Sequence, residues 1–262
     1  LIITTAIKPD SAMIEKAEAL ARELNAPYVP RRQYTLKTLL KKYEAQGVLV
    51  IGREGLRYTA ENHPPLFYHP GMALVRIRSL LNGGTDPMLE VSGASYGDRV
   101  LDCTAGLGWD ALVFSFAVGE AGSVTAVETS PLVSVIAREG LKSAATGLPE
   151  ADEACRRIRV VQGNHEDILR RMPDKSVDIV YFDPMFEKAV MASSAMLPLR
   201  YHACHDPVSE EAVRHAVRVA RKAVVMKNSP GNESFSRLGF TPAHTGPTVS
   251  YGVIHVANAA KR

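Results

Sequence analysis

From residue 99 onward, short apolar runs alternate with longer segments of helical periodicity. The runs fall at residues 100–102, 124–128, 158–162, 177–182 and 223–226. They are largely apolar without regular alternation, the pattern of strands covered on both faces, and each gap can hold a crossover helix. A parallel sheet with helices on both sides is expected. Residues 248–256, after Gly239-Phe240, predict antiparallel strands closing that sheet.

The N-terminal part has a different rhythm. Residues 2–5 read as a strand, and Ile14, Ala17, Ala21 and Leu24 then share one helical face before Asn25. Residues 28–29 read as a second strand, and Leu36, Leu39, Leu40 and Tyr43 recur at helical spacing. Residues 48–51 and 56–59 flank Gly52-Arg53-Glu54-Gly55 as a hairpin. Asn62-His63-Pro64-Pro65 reads as a linker, because two prolines exclude helix and interrupt strand pairing. Helices follow at 72–81 and from Pro87. The pattern predicts a small α/β domain at 1–60, then a larger α/β domain at 61–262.

Composition narrows the setting. The apolar runs are too short to span a bilayer, so no membrane is expected. Cys103, Cys155 and Cys204 are odd in number and have no metal-ligand spacing, so a reducing cytoplasm is the simplest setting and no metal is expected. The formal charge of +3 is mild, but residues 1–95 hold 12 lysines and arginines against 9 acids, so the excess lies at the N-terminal end. Arg31, Arg32, Lys37, Lys41 and Lys42, with Tyr34 among them, form a basic cluster. It suits an RNA phosphate patch or, equally, the solvated side of an amphipathic helix.

Candidate chemistry begins at residues 100–110, Val-Leu-Asp-Cys-Thr-Ala-Gly-Leu-Gly-Trp-Asp. A buried strand ends at Asp102, and Gly106 and Gly108 open a helix, as where backbone turns sharply and a ligand must approach closely. The third glycine of the dinucleotide fingerprint is replaced by Ala111, which weakens a nicotinamide reading. The next strand ends at Glu128, placed to accept hydrogen bonds from ribose hydroxyls, and is followed by Thr129. The third ends before Asn164-His165, where Asn164 can accept from an adenine amine.

The fourth strand ends in Asp183-Pro184-Met185-Phe186, close to the [Asp/Asn]-Pro-Pro-[Tyr/Phe] signature of enzymes that methylate exocyclic amines of nucleobases. Such an amine is a poor nucleophile because its lone pair is delocalised. A carboxylate and a main-chain carbonyl can hold its N–H bonds and aim the lone pair at a sulfonium methyl. Phe186 offers a face for stacking the base, once that base is unstacked or unpaired.

Together these blocks resemble the class I S-adenosylmethionine-dependent methyltransferases with a Rossmann-like sheet. More narrowly, Asp102–Ala111 and Asp183–Phe186 resemble the RsmJ family of bacterial small-subunit rRNA guanine-N2 methyltransferases, as do residues 71–84 and Val224-Val225-Met226-Lys227. Trp109 stands where that family has arginine, and Asn164-His165 where it has small hydroxyl residues. The resemblance implies donor contacts at Trp109, Asp110, Glu128, Thr129, Asn164, His165 and Asp183, which join Asp102, Thr104, Gly106 and Gly108 of the glycine turn as the expected donor site. It assigns acceptor chemistry to Asp183, Pro184 and Phe186, S-adenosylhomocysteine as product, and rRNA or a ribosomal particle as partner.

Alternatives remain open at this stage. They are methylation of another RNA base or of a small-molecule or protein amine, a non-catalytic protein keeping the same fold, and a nicotinamide enzyme. His202-Ala203-Cys204-His205 lacks a second ligand pair for zinc. Residues 187–207 read as a substrate lid or as a helix and connection. Oligomeric state has no signature.

Overall fold

A computed structural model describes residues 1–185, 197–202 and 206–256. The first sheet is built from β1 (Ile2–Thr5), β2 (Gly47–Gly52), β3 (Gly55–Ala60) and β4 (Leu66–Phe67), in that order. β1 and β2 are parallel, and β2 to β4 are antiparallel. Arg53 and Glu54 make the two-residue turn of the expected hairpin, between paired Gly52 and Gly55. The pairing of β3 with β4 carries this sheet beyond residue 60. Tyr28 makes only an isolated parallel bridge to Ile3, so the strand expected at 28–29 is reduced to one contact between Pro27 and Pro30.

Helix α1 (Ser11–Glu23) starts at Asp10, whose side chain accepts from the Met13 N–H. It buries Met13, Ala17, Leu20 and Ala21, while the expected Ile14 and Leu24 are only half-buried. The stripe is rotated because the sheet beneath selects which neighbouring apolar positions face it. α2 (Leu36–Lys42) is capped by Thr35 and inserts Leu39 beside Ile2 and Val48.

Helices α3 (Ala73–Leu81) and α4 (Pro87–Ser92) lead into the second sheet. Its strands are β5 (Arg99–Asp102), β6 (Ser123–Glu128), β7 (Ile158–Gln162), β8 (Val177–Phe182), β9 (Ala220–Asn228), β10 (Thr241–Thr245) and β11 (Ser250–His255). The order is β10-β11-β9-β8-β5-β6-β7, with five parallel strands and β11 antiparallel to both β9 and β10. Strand β10 was not foreseen: at the sheet edge it is mostly exposed and contains Pro242, so it lacks an apolar signal.

Helices α5 (Trp109–Val118) and α7 (Pro149–Arg157) belong to one face of this sheet, and α8 (His165–Arg171) and α10 (Glu210–Val219) to the other. β8 shows why residues 179–182 are apolar without a break: Ile179 and Tyr181 enter one core while Val180 and Phe182 enter the other. α6 (Pro131–Lys142) instead presents Val133, Val135 and Ile136 to the first sheet, joining the two units in one apolar cluster. Strand order reverses between β5 and β8, where the carboxyl ends of an open α/β sheet leave a crevice. Among the described residues, no helix is long and apolar enough to cross a membrane.

Candidate functional site

The crevice is built from the turns that leave β5, β6, β7 and β8. After β5, Gly106 and Gly108 have φ of 54° and 80°, in the left-handed region that suits glycine. This conformation turns the Gly106 N–H onto Glu128 Oε2, 2.9 Å away, while Ser130 N–H donates to Oε1 at 2.7 Å. Glu128 is thus fixed at the end of β6, and burial pushes its carboxyl above the ordinary range. A carboxylate has about four acceptor positions, so two backbone bonds leave it capacity toward the crevice. Asp102 is fully buried and accepts from Thr104 N–H at 3.1 Å.

Glu128 and Thr129 line one cleft together with Thr104, Gly106, Asn164, His165 and Asp183. Six of the expected donor-site residues besides Glu128 therefore converge there. Asn164 departs from its expected part: its Oδ1 already accepts from Glu166 N–H at 2.8 Å and caps α8. The expected acceptor is therefore committed to the helix, and the amide NH2 remains a donor. His165 packs edge-on to Phe182, and burial lowers its pKa, favouring neutral imidazole. Asp206, not foreseen, also lines this cleft.

At the end of β8, Asp183 N–H donates to Thr104 Oγ1 at 2.5 Å, tying the turn after β8 to that after β5. The Asp183 carboxylate receives Lys227 Nζ at 2.8 Å, and the same ammonium lies 3.0 Å from Asp110 Oδ2. Asp110 is also bound by Arg76 and by Tyr181 Oη at 2.7 Å. Arg76 reaches back to both oxygens of Asp86, at 2.7 and 2.9 Å. The result is a charge chain, Asp86–Arg76–Asp110–Lys227–Asp183, that crosses from α4 to the crevice.

The two carboxylates near Lys227 are not equivalent. Burial alone would raise Asp110, but Lys227, Arg76 and the Tyr181 hydroxyl hold it well below the ordinary range. Asp183 has only a share of Lys227. Burial, reinforced by the Asp110 charge, outweighs that cation and pushes Asp183 up to about 6. Lys227 stays charged because two anions offset its own burial.

A second, roomier cavity lies beyond Asp183. Met72, Arg76, Trp109, Lys227 and Tyr251 line it, and it shares Thr104, Gly106, Asp183 and Met185 with the first. Asp183 thus stands in the wall between the two spaces. Trp109 and Asp110, expected among the donor contacts, line the second cavity rather than the cleft with Glu128. Asp110 is held by Arg76, Tyr181 and Lys227, so its part is to fix that ammonium. Trp109 donates from Nε1 to the His69 carbonyl at 2.6 Å and lies against Gly71.

Pro184 follows Asp183 along both the first cleft and a neighbouring pocket. Phe186, Cys204, His205 and much of the 187–207 segment lie outside the described residues. Residues 197–202 form helix α9 (Leu197–His202). Among the described residues, no group of His, Cys, Asp or Glu could hold a metal ion.

Sequence reasoning assigned no part to Arg76, Lys227, Tyr181 or Tyr251. A signal existed for two of them. Lys227 closes an apolar run at the end of a buried strand, and Arg76 lies three residues after buried Ala73 and one before buried Ile77. Charges in such positions need partners.

The profile of a family described as "Putative SAM-dependent methyltransferase" matches residues 37–239. An uncharacterised protein of Bacillus subtilis, YpiP, is 42% identical over 98% of this chain and 100% of its own length. Ribosomal RNA small subunit methyltransferase J of Thioalkalivibrio sulfidiphilus is 29% identical, covering 89% of each chain. The crystal structure of the SAM-dependent methyltransferase NGO1261 from Neisseria gonorrhoeae superposes with a TM-score of 0.65 at 22% identity, over 99% of this chain and 97% of that one.

Proposed function

Since this chain belongs to that family of S-adenosylmethionine-dependent methyltransferases, we propose that its acceptor is the exocyclic N2 of a guanine in small-subunit rRNA. The observation that carries this reading is Asp183, set between two cavities and held by Lys227 at 2.8 Å. The resemblance to rRNA small subunit methyltransferase J along most of the chain supports the choice of rRNA.

The crevice fits the donor. Glu128 takes the ribose hydroxyls, Thr129, Asn164 and His165 flank the adenine, and the left-handed turn at Gly106 brings backbone close without a Cβ. When bound, S-adenosylmethionine would supply a sulfonium methyl whose carbon bonds to the acceptor nitrogen as the C–S bond breaks, its electron pair staying on sulfur in S-adenosylhomocysteine. Asp183 accepts an N–H bond of the amine, with the main-chain carbonyl beside it as second acceptor, and so orients the lone pair. Pro184 stiffens the turn that sets this geometry. Once nitrogen has its new bond to carbon, it carries one proton too many. Asp183 receives that proton, which suits a carboxyl pushed up to about 6. No step needs a metal.

The test is transfer of labelled methyl to small-subunit particles and to naked rRNA from a strain lacking this protein. Label should appear at one guanine N2 and be lost in Asp183→Ala, which should still bind S-adenosylhomocysteine by calorimetry. Donor binding without label in either RNA would turn the search to other amines.

A further inference from the structure

The outer face of the first sheet carries a row of side chains that the methyl-transfer chemistry does not use. Cross-strand partners share a face, and Val50, Arg57 and Phe67 are successive partners across β2, β3 and β4. The Arg57 guanidinium lies over the Phe67 ring at 5.2 Å. Phe67 is 40% exposed. The row continues off the sheet: Phe67 is 5.8 Å from His69, and His69 is 5.0 Å from Trp109. Trp109 lines the cavity that holds Asp183 and Lys227. Beside Trp109, Met72 also lines that cavity and is 63% exposed.

The same face carries positive charge at its other edge. Val48 and Val50 meet α2 through Leu39, and Lys37, Lys41 and Lys42 are exposed on that helix. One surface therefore runs from a basic helix, over a cation-topped aromatic ring, to the mouth of the acceptor cavity. Rings in series suit bases that are free to stack, and a basic margin suits phosphates. A duplex hides its base faces and would leave the rings without partners.

We infer that this face is a track for single-stranded RNA, with Arg57 and Phe67 gripping nucleotides that flank the target base. This rests on the RNA reading of the preceding subsection. Phe67 and Arg57 act in binding and make no contact with the reacting atoms.

The experiment is fluorescence anisotropy with a labelled, unstructured oligoribonucleotide, free and annealed to its complement, at one fixed salt concentration. Wild type should prefer the single strand. Phe67→Ala should weaken that binding about tenfold or more, and Phe67→Tyr should stay within about twofold, since stacking needs only the ring. Arg57→Ala, at an exposed strand position, should weaken it as well. All variants should bind S-adenosylhomocysteine like wild type, which shows them folded. Equal single-strand affinity for wild type and Phe67→Ala, or preference for the duplex, would overturn the track while leaving rRNA methylation standing. Failure of wild type to bind either RNA and to label any rRNA would overturn both.

Discussion

Lys227 is one ammonium serving two carboxylates, and this unequal sharing shapes the site. Asp110 has Arg76 and Tyr181 besides, so it remains the fixed anion, whereas Asp183 is left with the higher pKa. In the proposed mechanism ionised Asp183 receives the proton, so activity should be present above about pH 6 and lost as pH falls through that value. Replacing Lys227 by Met removes the cation that lowers Asp183, so the acid limb of the pH–rate profile should move upward. Lys227→Arg should bring it back. A limb unmoved in Lys227→Met would assign that titration elsewhere. At neutral pH, Asp183→Asn should lower the rate roughly a hundredfold, as when a positioned proton acceptor is removed.

Asp110 makes the opposite pH argument. Its pKa in the folded chain is held below the unfolded value, so its contribution to stability is present above about pH 4 and is lost as pH falls. Asp110→Asn leaves Arg76 with Asp86 and Lys227 with Asp183 but removes the anion that both cations share, and should destabilise the fold by about 1–3 kcal/mol in urea at neutral pH, with the difference shrinking in acid.

Among the elements, the junction of α3 and α5 depends on Gly71. It has φ of 54°, and a Cβ there would lie 2.6 Å from the Trp109 ring. Gly71→Ala should cost about 1–3 kcal/mol by overpacking, added to the strain of a left-handed alanine. It should also displace Trp109, seen as a shift in the emission of this single tryptophan. Emission and urea midpoint both unchanged would show that the junction yields without effect.

For the whole molecule, the joint between the two sheets is apolar first and ionic second. Ile136 of α6 is fully buried in the cluster that includes Leu49, Tyr58 and Leu66 of the first sheet. Ile136→Ala should cost about 2–5 kcal/mol. Arg138 meets Glu23 across the same joint at 2.6 and 2.9 Å, yet both side chains are over a third exposed, so Arg138→Ala should cost under about 1 kcal/mol. Because this cluster takes in both units, probes in each should report one urea transition. Two separated midpoints would show that the first sheet unfolds alone.

Periodicity and local chemistry determined a good deal by themselves. Five parallel strands, the turn at Gly106 and Gly108, and Asp183-Pro184 at a strand end are local properties. Each follows from a few adjacent residues whose hydrophobicity or backbone freedom admits little else. Strand β10 escaped because an exposed edge strand with a proline has no apolar pattern to show. Tertiary structure alone decided which charges meet. Asp86, Arg76, Asp110, Lys227 and Asp183 are scattered along the chain and come together only when α3, α4, α5, β8 and β9 close around one end of the sheet. It also decided that Asn164 caps a helix and that Trp109 and Asp110 line the second cavity. The physical reason is the same in each case: periodicity reports the face a residue presents, whereas a hydrogen bond or ion pair depends on what the rest of the fold brings to that face.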